Sequence, residues 1–400
     1  MPSRIVGELN PPDRLLLGPG PANVSPRVLR ALATPLLGHL DPAFLSIMDD
    51  TVYLLRQVFQ TSNHVTIPIS GTGSAGMEAA LCNVVEPGDT VVIGINGYFG
   101  ERLAEMASRY GARVVRVEAE WGLPLELEKF QKALKAERSV KVVAVVHAET
   151  STGVLQPLDG LANLARSHDA LLLVDAVTSL GGIDLRVDDW EIDICYSGTQ
   201  KCLGAPPGLS PLTFGPRAVE VLRSRKTKVA NWYLDLTLLG QYWGGERVYH
   251  HTAPISMIYA LREALRIVDE EGLQQRFARH RRSARALWAG LEAMGIGLIA
   301  PEGYRAYSLT TVRIPEGVDD AALRRTLLED WGIEIGGGLG PLRGKAWRVG
   351  LMGYNSTAKS VLTFLAALES ALVQQGLEIA QGAGAAAAQR ALAAADQASD

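Results

Sequence analysis

The chain has 400 residues, 47% hydrophobic and 20% charged, with 39 basic against 43 acidic residues and a formal net charge of −4. That composition excludes a disordered, collagenous or coiled-coil chain, and with no basic block nucleic acid is not an expected partner. Three cysteines, Cys82, Cys195 and Cys202, are too few for a disulfide framework or a structural zinc site. A reducing compartment follows, with the cytoplasm as default. Met1 to Arg14 is polar and carries no apolar leader core, and no run of about 18 apolar residues lacks a charge, so neither export nor a membrane span is expected.

Residues 1–15 read as an N-terminal arm. From about residue 64, short apolar runs alternate with segments of helical period, the pattern of βα units around a parallel sheet. Strands are expected near 64–69, 90–95, 113–118, 141–147, 170–175, 193–197 and 209–214, with crossover helices at 74–85, 99–110, 126–137 and 158–168. Lys141 to His147 and Ala170 to Asp175 are almost continuous Val, Leu and Ala, as sheet interiors covered on both faces require. The expected fold is α/β, with a large, doubly wound, mostly parallel seven-stranded sheet domain over 16–272. A long helical region at 255–293, a strand around Tyr307 to Ile314, a helix at 320–330 and strands at Glu334 and at Trp347 to Met352 make a smaller C-terminal α+β domain, bounded at 273–380. The Ala-rich tail, 381–400, has little to bury and reads as a frayed helix or disordered.

Three segments carry chemistry. Gly71-Thr72-Gly73-Ser74-Ala75-Gly76 spells G-x-G-x-x-G between a strand and a helix. A nicotinamide dehydrogenase would also need an acid at the end of the following strand, and Thr90 to Ile95 runs into Asn96. What survives is either a phosphate cradle at a helix start or a tight turn that needs glycine for backbone reasons. Lys201 follows a strand in Tyr196-Ser197-Gly198-Thr199-Gln200-Lys201-Cys202, among small and apolar neighbours, where desolvation would lower its pKa and free a nucleophilic amine for a Schiff base; the alternative is a lysine paired with a carboxylate. Asp175 closes a buried strand 26 residues before Lys201 and could pair with a protonated pyridine nitrogen, cap a helix or bind a metal.

An anion cradle, a strand-end acid and, about one βα unit after that acid, a lysine are the parts needed to hold pyridoxal 5'-phosphate. With Leu15 to Pro21, Ser70 to Glu78, Asn96 to Gly100, Glu149 to Val154, Val174-Asp175, Ser197 to Lys201, Tyr249 to Thr252 and Trp347 to Gly350, the chain resembles the class V, fold type I aminotransferases, and within them the alanine:glyoxylate and serine:pyruvate enzymes. The resemblance implies Lys201 and Asp175 as catalytic residues, the first linked to the cofactor and moving the Cα proton, the second on the pyridine nitrogen. It implies Thr150 on the ring hydroxyl, Phe99 stacked on the ring, and Thr72, Gly73, Ser74 and Gln200 around the phosphate, joined by Tyr249 and Thr252 of the partner subunit in a homodimer. Arg348 would clamp the substrate carboxylate in bidentate fashion, with Gly20 and Thr150 beside the substrate. Phe99 stands where close relatives often carry tryptophan, and Ser74 where they often carry histidine.

His250-His251 lacks accompanying ligands and, in an extended segment, would point to opposite faces, so no metal is expected. His147 reads as a satisfied buried residue, and Cys195 and Cys202 as small core residues. The resemblance implies transamination of L-alanine or L-serine with glyoxylate or pyruvate by a ping-pong route through pyridoxamine phosphate, alanine:glyoxylate first and serine:glyoxylate or serine:pyruvate next. A cysteine desulfurase would need a catalytic cysteine near the substrate, yet none follows Cys202, and Gln200 stands where such enzymes place a histidine.

Overall fold

The computed structural model describes residues 6–397. The first residues of the expected arm and the last three of the expected tail lie outside the described residues. Seven strands form one sheet: β1 (Val65–Ser70), β2 (Thr90–Ile95), β3 (Arg113–Glu118), β4 (Val142–Val146), β5 (Leu171–Asp175), β6 (Ile194–Tyr196) and β7 (Leu209–Phe214). Their order is β1-β7-β6-β5-β4-β2-β3, with β7 antiparallel to both neighbours and every other pairing parallel. Every residue of β4 and β5 is buried, as their apolar runs require when helices cover both faces. The helices Gly73–Cys82, Tyr98–Arg109, Leu127–Lys135 and Leu161–Arg166 make the expected crossovers. In this topology the carboxyl ends of β5 and β6 lie side by side, with Asp175 level with Tyr196. The loops that follow them converge there, the usual place for a ligand in an open α/β sheet.

A second apolar core surrounds Trp347, Phe364, Leu365 and Leu291. It is built on a three-stranded antiparallel sheet of Leu309–Arg313, Ala346–Gly350 and Gly336–Gly337 and on the helices Leu273–Ala293, Asp320–Asp330 and Ala358–Gln374. The helical region expected over 255–293 is two helices, Ile255–Glu271 and Leu273–Ala293, broken where Gly272 takes φ +79°. Such a conformation is open to glycine and strained for other residues.

Two placements differ from the sequence reading. Leu17, inside the stretch assigned to the large domain, is fully buried in the second core, because Leu15–Leu16 pairs in parallel with Ile333–Glu334. The Ala-rich tail forms a helix, Ala383–Gln397, docked on Leu273–Ala293 with Ala388 and Leu392 buried. A Cβ on Gly290 would lie 2.9 Å from the Gly384 carbonyl oxygen, so two glycines let the backbones approach and bury a face with little bulk.

Candidate active site

Asp175 ends β5 with its carboxylate buried. Tyr196 Oη donates to it at 2.7 Å from the neighbouring strand, and the Val177 amide donates at 2.8 Å. No cation pairs with it among the described residues, and burial pushes its carboxyl up to about 6. Lys201 leaves β6 through the turn Ser197–Gln200 and is only 7% exposed. Burial, then the charge of Arg348, brings its amine down to about 8. Its Nζ donates to the carbonyl of Pro19 and, among the described residues, meets no carboxylate at ion-pair distance. The neighbouring Gly20 has φ +98°, and a Cβ there would lie 2.6 Å from Lys201 Nζ. The Leu15–Leu16 pairing with the second core therefore delivers Pro19 and Gly20 to the lysine.

The glycine motif divides its labour. Gly71 turns with φ +146°, and a Cβ on Gly76 would collide with Ser210 on β7, so Gly76 permits close packing of helix on sheet. The helix Gly73–Cys82 starts at Thr72, whose side chain makes no capping hydrogen bond; the Ala75 amide donates to the Thr72 carbonyl, which leaves those of Gly73 and Ser74 available to an anion. Beside it, Phe99 and Arg102 rise from the helix Tyr98–Arg109. That helix start is held by Glu149, a fully buried carboxylate accepting from the amides of Phe99 at 3.2 Å and Gly100 at 3.3 Å and from the Ser151 hydroxyl at 2.6 Å. Burial raises the Glu149 pKa, while these donors act against the rise.

Thr72, Gly73, Ser74, Phe99, Thr150, Asp175, Gln200 and Lys201 line one cavity of about 180 Å³, joined by Met77, Arg102 and Val177. Thr150 Oγ1 lies 2.5 Å from Thr178 Oγ1. Sequence reasoning missed Arg102 and Glu149. The first looks like any arginine on an amphipathic helix, and the second gives no local sign that it caps a helix elsewhere.

Arg348 lies on Ala346–Gly350, with its Nε donating to the Gly337 carbonyl at 2.8 Å. Burial brings its guanidinium down to about 10, and no carboxylate pairs with it among the described residues. Tyr249 and Thr252 do not line the cavity within this chain; both are exposed, and Tyr249 packs against His39 with ring centroids 5.1 Å apart.

His250 and His251 do not point to opposite faces. Their Nδ1 atoms lie 2.8 Å apart, His250 stacks on Trp232, and His251 Nε2 meets Ser70 Oγ at 2.8 Å. The segment is not a strand, so side-chain alternation does not apply there. His147 is buried, bonded to Ser179 Oγ at 3.0 Å and lowered to about 4 by burial. Cys195 and Cys202 are fully buried, and burial pushes the Cys202 thiol up to about 11.

Residues 21–358 match the family "Aminotransferase class-V". The chain belongs to the class V aminotransferases. Among its relatives, the (S)-ureidoglycine–glyoxylate transaminase of Bacillus subtilis is 44% identical over 94% of this chain and 94% of that protein. An alanine–glyoxylate aminotransferase of Drosophila melanogaster is 42% identical over 92% of this chain and 94% of its own. Among solved structures, an alanine–glyoxylate aminotransferase from Nostoc sp. superposes with a TM-score of 0.91 at 54% identity, covering 92% of this chain and 98% of that one. The fold is therefore fold type I, and the class V aminotransferase is an enzyme dependent on pyridoxal 5'-phosphate.

The cavity suits that group. Among the described residues, Asp175 is a buried acid without a paired cation, Lys201 a buried amine without a paired anion, and the uncapped helix start with Arg102 an anion-receptive surface. Gln200 Oε1 is buried without a hydrogen-bond partner in the same wall, leaving a polar demand for a ligand to meet.

Proposed function

We propose that this aminotransferase moves the amino group of a small L-amino acid to glyoxylate, with L-alanine as donor. The similarity to the Nostoc alanine–glyoxylate aminotransferase over nearly the whole chain carries this reading. The site supports it: a confined cavity, a glycine rather than a side chain against Lys201, and a buried guanidinium without a carboxylate partner among the described residues.

The bound cofactor supplies an electron sink for the negative charge that develops when the substrate Cα loses its proton. Lys201 Nζ, its amine brought down to about 8, would hold the cofactor and serve as the base that takes and returns the proton at the substrate Cα. Asp175 would hold the pyridine nitrogen protonated, and Tyr196 and the Val177 amide orient its carboxylate. Phe99 would offer its ring face, set by the helix start that Glu149 holds, and Thr150 would bond the ring hydroxyl. Thr72, Gly73, Ser74 and Gln200, which line the cavity, would hold the phosphate through amides and side chains. Arg348 takes the α-carboxylate of amino and keto acid alike through its planar fork. One site then serves both half-reactions in turn.

The active species is a homodimer in which Tyr249 and Thr252 of the partner subunit complete the phosphate pocket. Support comes from the large exposed side chains Trp232 and Tyr249 around residues 247–252, where Arg247 pairs with Asp49, Tyr249 packs on His39 and Trp232 stacks on His250. Cytoplasmic placement rests on three free, buried cysteines.

The test is the absorbance of the purified holoenzyme on adding L-alanine and then glyoxylate, with glycine measured as product. Loss of the cofactor band with alanine and its return with glyoxylate is expected, and no glycine would overturn the reading. The Bacillus relative makes (S)-ureidoglycine a second donor to compare with alanine and serine by kcat/KM; a clear preference for it would replace alanine in the assignment.

A further inference from the structure

We propose that Arg102 is a ligand of the cofactor phosphate, supplying the side-chain cation of that pocket. Arg102 Nη1 donates to Ser74 Oγ at 3.1 Å, which puts the guanidinium on the first turn of the helix whose start forms the phosphate end of the cavity. Arg102 and Ser74 both line that cavity. Two rings hold the guanidinium in place: its central carbon lies 4.9 Å from the Phe99 centroid and 5.3 Å from that of Tyr98. The rings meet edge to face at 81°, so the cation is braced from two directions before any ligand arrives.

Nearby acids do not take up this charge. Glu105 pairs with Arg109 at 2.8 Å, Glu101 with Arg116 at 2.6 Å, and Glu78 accepts from Tyr110 Oη at 2.7 Å. Arg102 makes no ion pair among the described residues, although Glu78, Glu101 and Glu105 share a second cavity with it. A positioned guanidinium at the mouth of an uncapped helix start is an incomplete anion site, and a phosphate dianion completes it with charge-assisted hydrogen bonds. Ser74 brings only a neutral hydroxyl to this turn, so Arg102 provides the full positive charge that the helix start alone lacks.

This inference depends on the cofactor class and not on the choice of amino donor. The experiment is equilibrium binding to cofactor-free protein, followed by protein fluorescence, with pyridoxal 5'-phosphate and with pyridoxal, which lacks the phosphate, on wild type, Arg102→Ala, Arg102→Gln and Arg102→Lys. Arg102→Ala and Arg102→Gln should bind pyridoxal 5'-phosphate roughly 10- to 100-fold more weakly, as loss of a charged hydrogen bond implies. Pyridoxal should bind all four proteins alike, and Arg102→Lys should recover part of the loss. Inorganic sulfate should compete with the cofactor on wild type and less on Arg102→Gln. Unchanged affinity for the phosphorylated cofactor would overturn the proposal, as would equal weakening of both compounds, since Arg102 would then act only by bracing Phe99 and Tyr98. If Arg102→Ala fails to fold, the Gln and Lys variants decide between these outcomes.

Discussion

Asp175→Asn separates what this carboxylate imposes on the fold from what it does for the reaction. Its carboxyl is fully buried and pushed up to about 6 from an ordinary 3.8, with Tyr196 and Val177 as donors but no cation. At ~1.4 kcal/mol per pKa unit, keeping it ionised costs the cofactor-free protein about 3 kcal/mol near neutral pH. The folded state holds the proton to higher pH than the unfolded chain does. The penalty is thus absent below about pH 4, grows from about pH 4 to 6, and is fully present above. Asparagine still accepts from the Val177 amide and can donate to Tyr196 Oη, so the fold loses little. Calorimetry of cofactor-free protein should find Asp175→Asn melting at or above wild type at about pH 7.5, with its advantage shrinking toward about pH 4.5. Pyridoxal 5'-phosphate should reverse the ranking, because only wild type gains the pairing with a pyridinium. The alanine half-reaction should fall by roughly 10²–10³-fold, as for removal of one positioned electrostatic partner. A variant that is less stable by the same margin at both pH values, or that keeps wild-type turnover, would refute the reasoning.

Arg348→Ala should raise KM for alanine and for glyoxylate by roughly 100-fold, the scale of a lost charged bidentate contact, while cofactor affinity measured by titration stays near wild type. Arg348→Gln should also move the pH dependence of cofactor attachment. Attachment needs the neutral amine, so its rate should rise through about pH 8 in wild type, and the rise should shift to higher pH once the neighbouring cation is gone. Gly20→Ala meets φ +98° and a Cβ 2.6 Å from Lys201 Nζ; about 1–2 kcal/mol of destabilisation by calorimetry and a larger loss in the rate of cofactor attachment are expected. For the shared pocket, mixing inactive Lys201→Ala with inactive Tyr249→Ala/Thr252→Ala protein should restore part of the activity, because one site of the hybrid dimer then has every group. No recovery in hybrids verified by sedimentation would count against residues reaching across the interface.

Much of this architecture is legible in the chain. Six of the seven sheet strands announce themselves because they are almost wholly buried, the edge strand Arg113–Glu118 being the exception, and Val142–Val146 and Leu171–Asp175 leave no polar residue inside the sheet until Asp175 itself. That acid at a strand end, and a lysine among small residues beyond the neighbouring strand, were readable as chemistry because an isolated charge there needs a reason. Other features left no local trace. Leu17 is buried by pairing with a strand far along the chain, and the docked tail depends on Gly384 meeting Gly290, a fit that composition does not record. The histidine pair lies in no strand, so alternation does not set its directions, and His250 stacks on Trp232.

By itself, the sequence determined which reactive groups are present and that they sit at strand ends and a helix start, since hydrophobic period and residue type are local properties. Tertiary structure alone decided their state. The Lys201 amine is lowered to about 8 because burial and Arg348, carried on the second core, act on it together. Arg102 becomes an anion ligand because packing of two helices sets it against Ser74. Desolvation and charge proximity are properties of assembled neighbours, and no single segment of the chain contains them.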